Sequence, residues 1–167
     1  ETLDSCDRCA SCLKINKNQH PDVSIINASV PLNTNYEQGK GETANSRAIK
    51  IGHIRQLQSK ISLKPYEAKV KVFIIEEAHN LTPEASNALL KILEEPPVKS
   101  LIILVSAKPM LLFKTIISRC QVVKFYPLVR EQLREVLSRD YGLETNLAHF
   151  LAYFCEGRFG QALRLKD

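Results

Sequence analysis

Val70 to Glu84 reads V-K-V-F-I-I-E-E-A-H-N-L-T-P-E. Apart from one lysine, its first half is β-branched or otherwise apolar, too uniform to alternate between a wet and a dry face. That composition suits a short strand buried in a parallel sheet. The strand must stop at Glu76-Glu77, because two successive carboxylates are costly to bury. Thr82-Pro83-Glu84 then forms a helix start. Thr82 offers a hydroxyl cap, Pro83 lacks an N–H that would go unused in the first turn, and Glu84 suits the positive helix end. Leu89, Leu90, Ile92 and Leu93 give this helix its apolar face, and Pro96-Pro97 ends it.

The same alternation extends in both directions. Downstream, Leu101 to Val105 reads as a second buried strand, Leu111 to Ile117 as a short helix and Val122 to Phe125 as a further strand. Upstream, Val23 to Ile26 is a short apolar strand behind the turn signal His20-Pro21-Asp22. Ile49, Ile54, Leu57 and Ile61 recur at near-helical spacing, which predicts an amphipathic helix over residues 46–61 that Pro65 forbids to continue. Pro31 to Arg47 has almost nothing to bury and reads as a loop. Alternating strands and helices predict an α/β fold on a mainly parallel sheet. Pro127 marks a boundary. Beyond it, Arg130 to Arg139, Asn146 to Cys155 and Gly160 to Leu165 are helical patterns. The expected organisation is an α/β domain over 1–127 and a small all-helical domain over 128–167.

Composition narrows the class. With 44% hydrophobic and 25% charged residues among 167, the chain is neither a disordered tail nor a disulfide miniprotein. Lys and Arg exceed Asp and Glu by 23 to 18, a net charge of +5 that permits contact with nucleic acid without demanding it. No apolar run approaches the ~20 residues that span a bilayer, and no basic-then-apolar signal segment opens the chain. The chain begins at Glu1 and its single methionine is Met110, so a processed or truncated piece is expected.

Five cysteines are an odd number for a disulfide framework and favour a reducing compartment, the cytoplasm. Cys120 and Cys155 lie in apolar surroundings and read as small packed hydrophobes. Cys6, Cys9 and Cys12 form a C-x2-C-x2-C run. Thiolates so close repel unless a cation holds them, and Zn2+ takes four ligands at tetrahedral angles. The fourth could be a cysteine before Glu1 or His20. An iron–sulfur cluster and three reduced surface thiols are the other readings. Closely spaced cysteine ligands are the usual signature of a structural rather than a catalytic zinc, so the metal would be structural.

In an open α/β sheet, function gathers at the carboxyl ends of the strands. An apolar strand delivering Glu76 and Glu77 there has the pattern of a Walker B segment. In such a segment one acid helps hold Mg2+ and the next orients the attacking water. A solvated acidic turn has the same local sequence, so the wider context decides.

F-I-I-E-E-A-H-N-L-T-P-E-A-S-N-A-L-L-K-I-L-E-E-P-P, Phe73 to Pro97, resembles the Walker B strand and following helix of bacterial clamp-loader AAA+ subunits. Ser118-Arg119-Cys120 matches the S-R-C motif of that family, and the Cys run followed by His20-Pro21-Asp22 matches its zinc module. The resemblance covers nearly the whole chain, with motifs in family order. It implies a P-loop NTPase-like AAA+ domain carrying a zinc-module insertion at 1–22, then the start of a helical lid. The family's phosphate-binding loop and a further zinc-module cysteine would lie upstream. Within the chain no G-x4-G-K-[ST] occurs: Gly39-Lys40 has Thr34 where the first glycine belongs.

The family has an ATP-hydrolysing branch, tau/gamma, and a non-hydrolysing branch, delta-prime. Ile61 to Glu67 resembles delta-prime sequences. The tau/gamma D-A-A-S-N segment is absent after Ile25-Ile26. The sensor 1 position falls on Ala107, with the polar Ser106 beside it. The sensor 2 arginine position falls on Gly160. Glu76 stands where the Walker B Asp is usual, and its extra methylene moves the carboxylate by roughly a bond length, which Mg2+ geometry tolerates poorly; Glu77 is retained. The resemblance implies that Arg119 acts in trans on the ATP site of an adjacent tau/gamma subunit. ATP and Mg2+ are then not expected to bind this chain productively. The implied partners are the tau/gamma and delta subunits of the DNA polymerase III holoenzyme, with the sliding clamp and primer-template DNA reached through the complex. A tau/gamma-like motor and a zinc-containing DNA-binding module remain as other classes. A helicase reading of His79 lacks the rest of a helicase core.

Overall fold

The structure is a computed structural model and describes residues 5–29 and 47–166. The predicted loop from Pro31 to Arg47 therefore lies outside the described residues, except for Arg47. The chain divides into two compact units, residues 1–121 and 122–167.

In the first unit, strands β1 (Val23–Ile26), β2 (Lys71–Ile75) and β3 (Ser100–Leu104) form a parallel sheet in that order. Helix α1 (Ala10–Asn16) precedes β1, α2 (Ile51–Ile61) precedes β2, α3 (Pro83–Glu94) joins β2 to β3, and α4 (Lys114–Ile117) follows β3. The central strand buries Phe73 and Ile75 in one core with Ile54 and Leu57 of α2, Leu89 and Ile92 of α3, and Ile116 of α4. The predicted cap is in place, with Thr82 Oγ1 accepting the Ala85 N–H at 3.2 Å and Pro83 opening the helix.

Three expectations change. Helix α2 begins at Ile51 rather than 46. Ile49 is spent on a different bond pattern: its N–H donates to Asn80 O at 2.8 Å and its carbonyl accepts the Thr82 N–H at 3.0 Å, which holds it extended. β3 is not buried on both faces. Among the described residues it is an edge strand, and Leu101 and Ile103 stay exposed. Val122 to Phe125 is not a strand. No described strand lies against it, and Val122, Val123 and Phe125 are exposed.

The second unit contains α5 (Arg130–Tyr141), α6 (Thr145–Phe154) and α7 (Phe159–Leu165). Leu133, Leu137, Ala148, Leu151, Cys155 and Ala162 form its core. Gly142 closes α5 in the left-handed region at φ 64°. Gly157 has no substitute, since at φ +83° an added Cβ would stand 2.0 Å from the carbonyl oxygen of Leu128.

One buried acid organises the sheet's amino edge. Asp22 Oδ1 accepts the Tyr66 N–H at 2.8 Å, and Oδ2 accepts those of Glu67 at 2.7 Å and Ala68 at 2.8 Å. Burial pushes this carboxyl up, but the N–H groups of Ala68, Tyr66 and Glu67, with the charge of Lys71, outweigh it and hold it below its ordinary range. A lowered folded pKa adds stability that is fully present above the unfolded value and is lost as pH falls through the folded one. Chemical denaturation should therefore show stability declining below about pH 4. Asp22→Asn should remove about 1–3 kcal/mol at pH 7 and make that acid decline shallower.

Candidate functional site

The register places the chemistry. Ile26 pairs with Ile75, and Ile75 with Leu104, so the chain leaves all three strands at one level. Asn27, Glu76 and Val105 come next. The Glu76 N–H donates to Ile26 O at 2.9 Å, and the Asn27 amide Nδ2 donates to Glu76 Oε2 at 2.9 Å. Glu77 follows in the left-handed region, φ 48° and ψ 42°, uncommon for a residue with a side chain. Its Oε2 accepts from Asn80 Nδ2 at 3.0 Å. The Ala78 N–H donates to Val105 O at 2.9 Å, which locks this acidic turn to the end of β3.

The edge therefore carries two carboxylates, each already engaged by an amide. The nearby His79 Nδ1 lies 3.3 Å from Ser106 Oγ, and that oxygen accepts the Lys108 N–H at 3.1 Å. Ser106 is the polar side chain here; Ala107 beside it is exposed. Sequence reasoning missed Asn27. The available signal was its place directly after β1, one strand over from Glu76.

Arg119 lies just past α4. Its own N–H donates to Ile116 O at 3.1 Å, so helical bonding fixes the backbone. Its Nη1 donates to Thr115 O at 3.0 Å, and its Nη2 sits 2.8 Å from Glu94 Oε1 at the end of α3. Gly160 is exposed in α7, in the second unit, and an added Cβ there would meet nothing within 4 Å. Packing does not impose the missing side chain.

Cys6, Cys9 and Cys12 converge, with their sulfurs all within 4.8 Å of one another and Cys6 and Cys12 3.8 Å apart. Two thiolates on a tetrahedral ion at Zn–S bond lengths would be about 3.8 Å apart. The donor set fits a thiophilic divalent ion, and these residues could hold one. Among the described residues it is the only such convergence of His, Cys, Asp or Glu, and His20 is not part of it. His20 is buried, and its Nδ1 accepts the Asp22 N–H at 3.1 Å.

Residues 1–129 match the family described as DNA polymerase III, delta subunit. The chain belongs to that family. It is 31% identical over 147 residues to DNA polymerase III subunit delta' of Bacillus subtilis, covering 88% of this chain and 40% of that protein. It is 30% identical over 171 residues to subunit tau of Escherichia coli K12, covering 99% of this chain and 24% of that protein. The chain thus spans less than half the length of these relatives. Among solved structures, a gamma subunit-related protein of Thermotoga maritima aligns with a TM-score of 0.52 at 25% identity, over 83% of this chain and 47% of that one. RuvB from the same organism aligns with a TM-score of 0.58 at 14% identity, over 92% of this chain and 47% of that one, a likeness of fold alone. The fold is that of AAA+ P-loop proteins, as the resemblance implied.

The thiols differ in a way alkylation can read. Hydrogen bonds from the Arg8 and Cys9 backbone lower the exposed Cys6 to about 7. Burial pushes Cys120 up, and Cys155 is buried. In metal-free protein Cys6 should react fastest with iodoacetamide, with Cys120 and Cys155 slowest. Added Zn2+ should protect Cys6, Cys9 and Cys12 selectively, as mass spectrometry of labelled peptides would report.

Proposed function

We propose that this chain is part of a delta-prime-type clamp-loader subunit that lends Arg119 to the ATP site of an adjacent tau/gamma subunit. The observation that carries the reading is Arg119 itself: a guanidinium anchored by backbone and side chain at the end of α4, with its side chain 36% exposed. A preset, partly exposed cation of this kind can stabilise charge on a transferred γ-phosphoryl group across an interface. The subunit would couple the nucleotide state at that shared site to loading of the sliding clamp on primer-template DNA. It would do so in the cytoplasm, alongside tau/gamma and delta.

The state of the chain's own edge supports this division of labour. Glu76 is one methylene longer than the aspartate usual in a Walker B segment, a poor fit to Mg2+ geometry. ATP and Mg2+ are then not bound productively here. One observation favours the motor reading: Glu77 is exposed at the carboxyl edge, where a water-orienting acid would stand. For the metal we propose structural Zn2+ on Cys6, Cys9 and Cys12, with one further ligand.

Arg119→Ala in the reconstituted clamp loader should lower turnover about 10³-fold at the site the arginine serves and leave assembly unchanged. Steady-state DNA-dependent ATP hydrolysis and size-exclusion chromatography read the two effects separately. Unchanged hydrolysis would end the finger role. The isolated full-length subunit should not bind a fluorescent ATP analogue at millimolar concentration with Mg2+. Tight binding with slow hydrolysis would make it a motor and Glu77 the residue to mutate next.

A further inference from the structure

We infer that Glu94 is a positioning residue for Arg119, one that holds the guanidinium ready for a phosphate it does not itself touch. The inference rests on the reading of Arg119 as a trans-acting finger. Glu94 is the last residue of α3, followed by Glu95. Carboxylates at a helix carboxyl end face the negative pole of the helix dipole, so they are misplaced unless a cation stands close. Arg119 is that cation, with its Nη2 2.8 Å from Glu94 Oε1.

The geometry suits orientation more than stability. Arg119 is held at two atoms by two different elements: Nη2 by α3 and Nη1 by the Thr115 carbonyl of α4, at 3.0 Å. Both elements are fixed from below, α3 through Leu89 and Ile92 and α4 through Ile116, all in the same core. A guanidinium has five N–H donors. These two contacts occupy one each and leave three for an anionic ligand, so Arg119 need not release Glu94 to bind phosphate oxygens. The pair is exposed, 36% for Arg119 and 50% for Glu94, and exposed pairs add little to folding. Its effect is to restrict a long, otherwise freely rotating side chain, and catalysis is sensitive to such placement.

The test is a double-mutant cycle in the reconstituted clamp loader. Glu94→Ala should lower the kcat of DNA-dependent ATP turnover at the served site about tenfold, with KM for ATP unchanged. Glu94→Gln, which keeps an acceptor oxygen, should recover much of that loss. The melting temperature of each variant should match the wild type. In an Arg119→Ala background, Glu94→Ala should add nothing. Equal or raised turnover in Glu94→Ala, or additive losses in the double variant, would overturn the role of Glu94. The finger reading would survive that result if Arg119→Ala alone still lost turnover. Wild-type turnover in Arg119→Ala would overturn both.

Discussion

The first unit depends on how Asp22 is bonded. Its carbonyl accepts the Val72 N–H at 2.8 Å and begins the β1–β2 ladder. Its carboxylate gathers three backbone N–H groups of the segment leading into β2. Its own N–H goes to His20. A buried charge tolerates such a position only when hydrogen bonds replace the lost water, and here they do. The consequence is register. With Val23 set against Val72, the strands run in step to Ile26 and Ile75, and Asn27 arrives beside Glu76. A shift of one residue would turn the buried side chains of β2 outward and separate that pair. The carboxyl-edge chemistry is fixed from the opposite end of the sheet.

This explains why some of the molecule is legible in sequence and some is not. β2, the Thr82 cap and the Cys6-Cys9-Cys12 run are local: composition and spacing specify them without reference to distant partners. The start of α2 is not local. Periodicity includes Ile49, but Asn80 and Thr82, some thirty residues on, claim its backbone. Val122 to Phe125 fails for the related reason that β-branched residues favour a strand only where a neighbour supplies the ladder. His20-Pro21-Asp22 reads as a turn signal and is one, yet nothing in those three letters announces that the Asp22 carboxylate reaches Tyr66, Glu67 and Ala68. Asn27 and Glu94 were missed for the same cause, since the partner of each lies far along the chain.

The acidic groups divide by partner, and the division bears on chemistry. At the carboxyl edge Glu76 and Glu77 meet neutral amides, which donate hydrogen bonds to the carboxylates without neutralising their charge. Glu94 meets a full cation. An amide-held carboxylate can still attract a cation, whereas an acid on an exposed arginine mainly directs that arginine. The family comparison matches delta' and tau relatives at nearly the same identity, 31% and 30%. The distinction between a subunit that hydrolyses ATP and one that assists a neighbour therefore rests on individual side chains such as these.

The cysteine segment is built differently from everything else in the first unit. Helix α1 buries no residue, and its Leu13 and Ile15 are largely exposed. Seven residues are too few for a helix to be stable by propensity alone. Its described ion-pair link to the α/β core is Lys14 Nζ against Glu67, 2.7 Å away, an exposed pair of small energetic weight. Glu67 belongs to the segment whose backbone Asp22 holds, so the anchor point is firm even where the tether is weak. What the segment lacks in apolar burial, a metal on Cys6, Cys9 and Cys12 would supply, since binding energy at such a site becomes ordering energy for the chain around it. The cysteine module thus takes its position from the core through Glu67 and would take its rigidity from an ion.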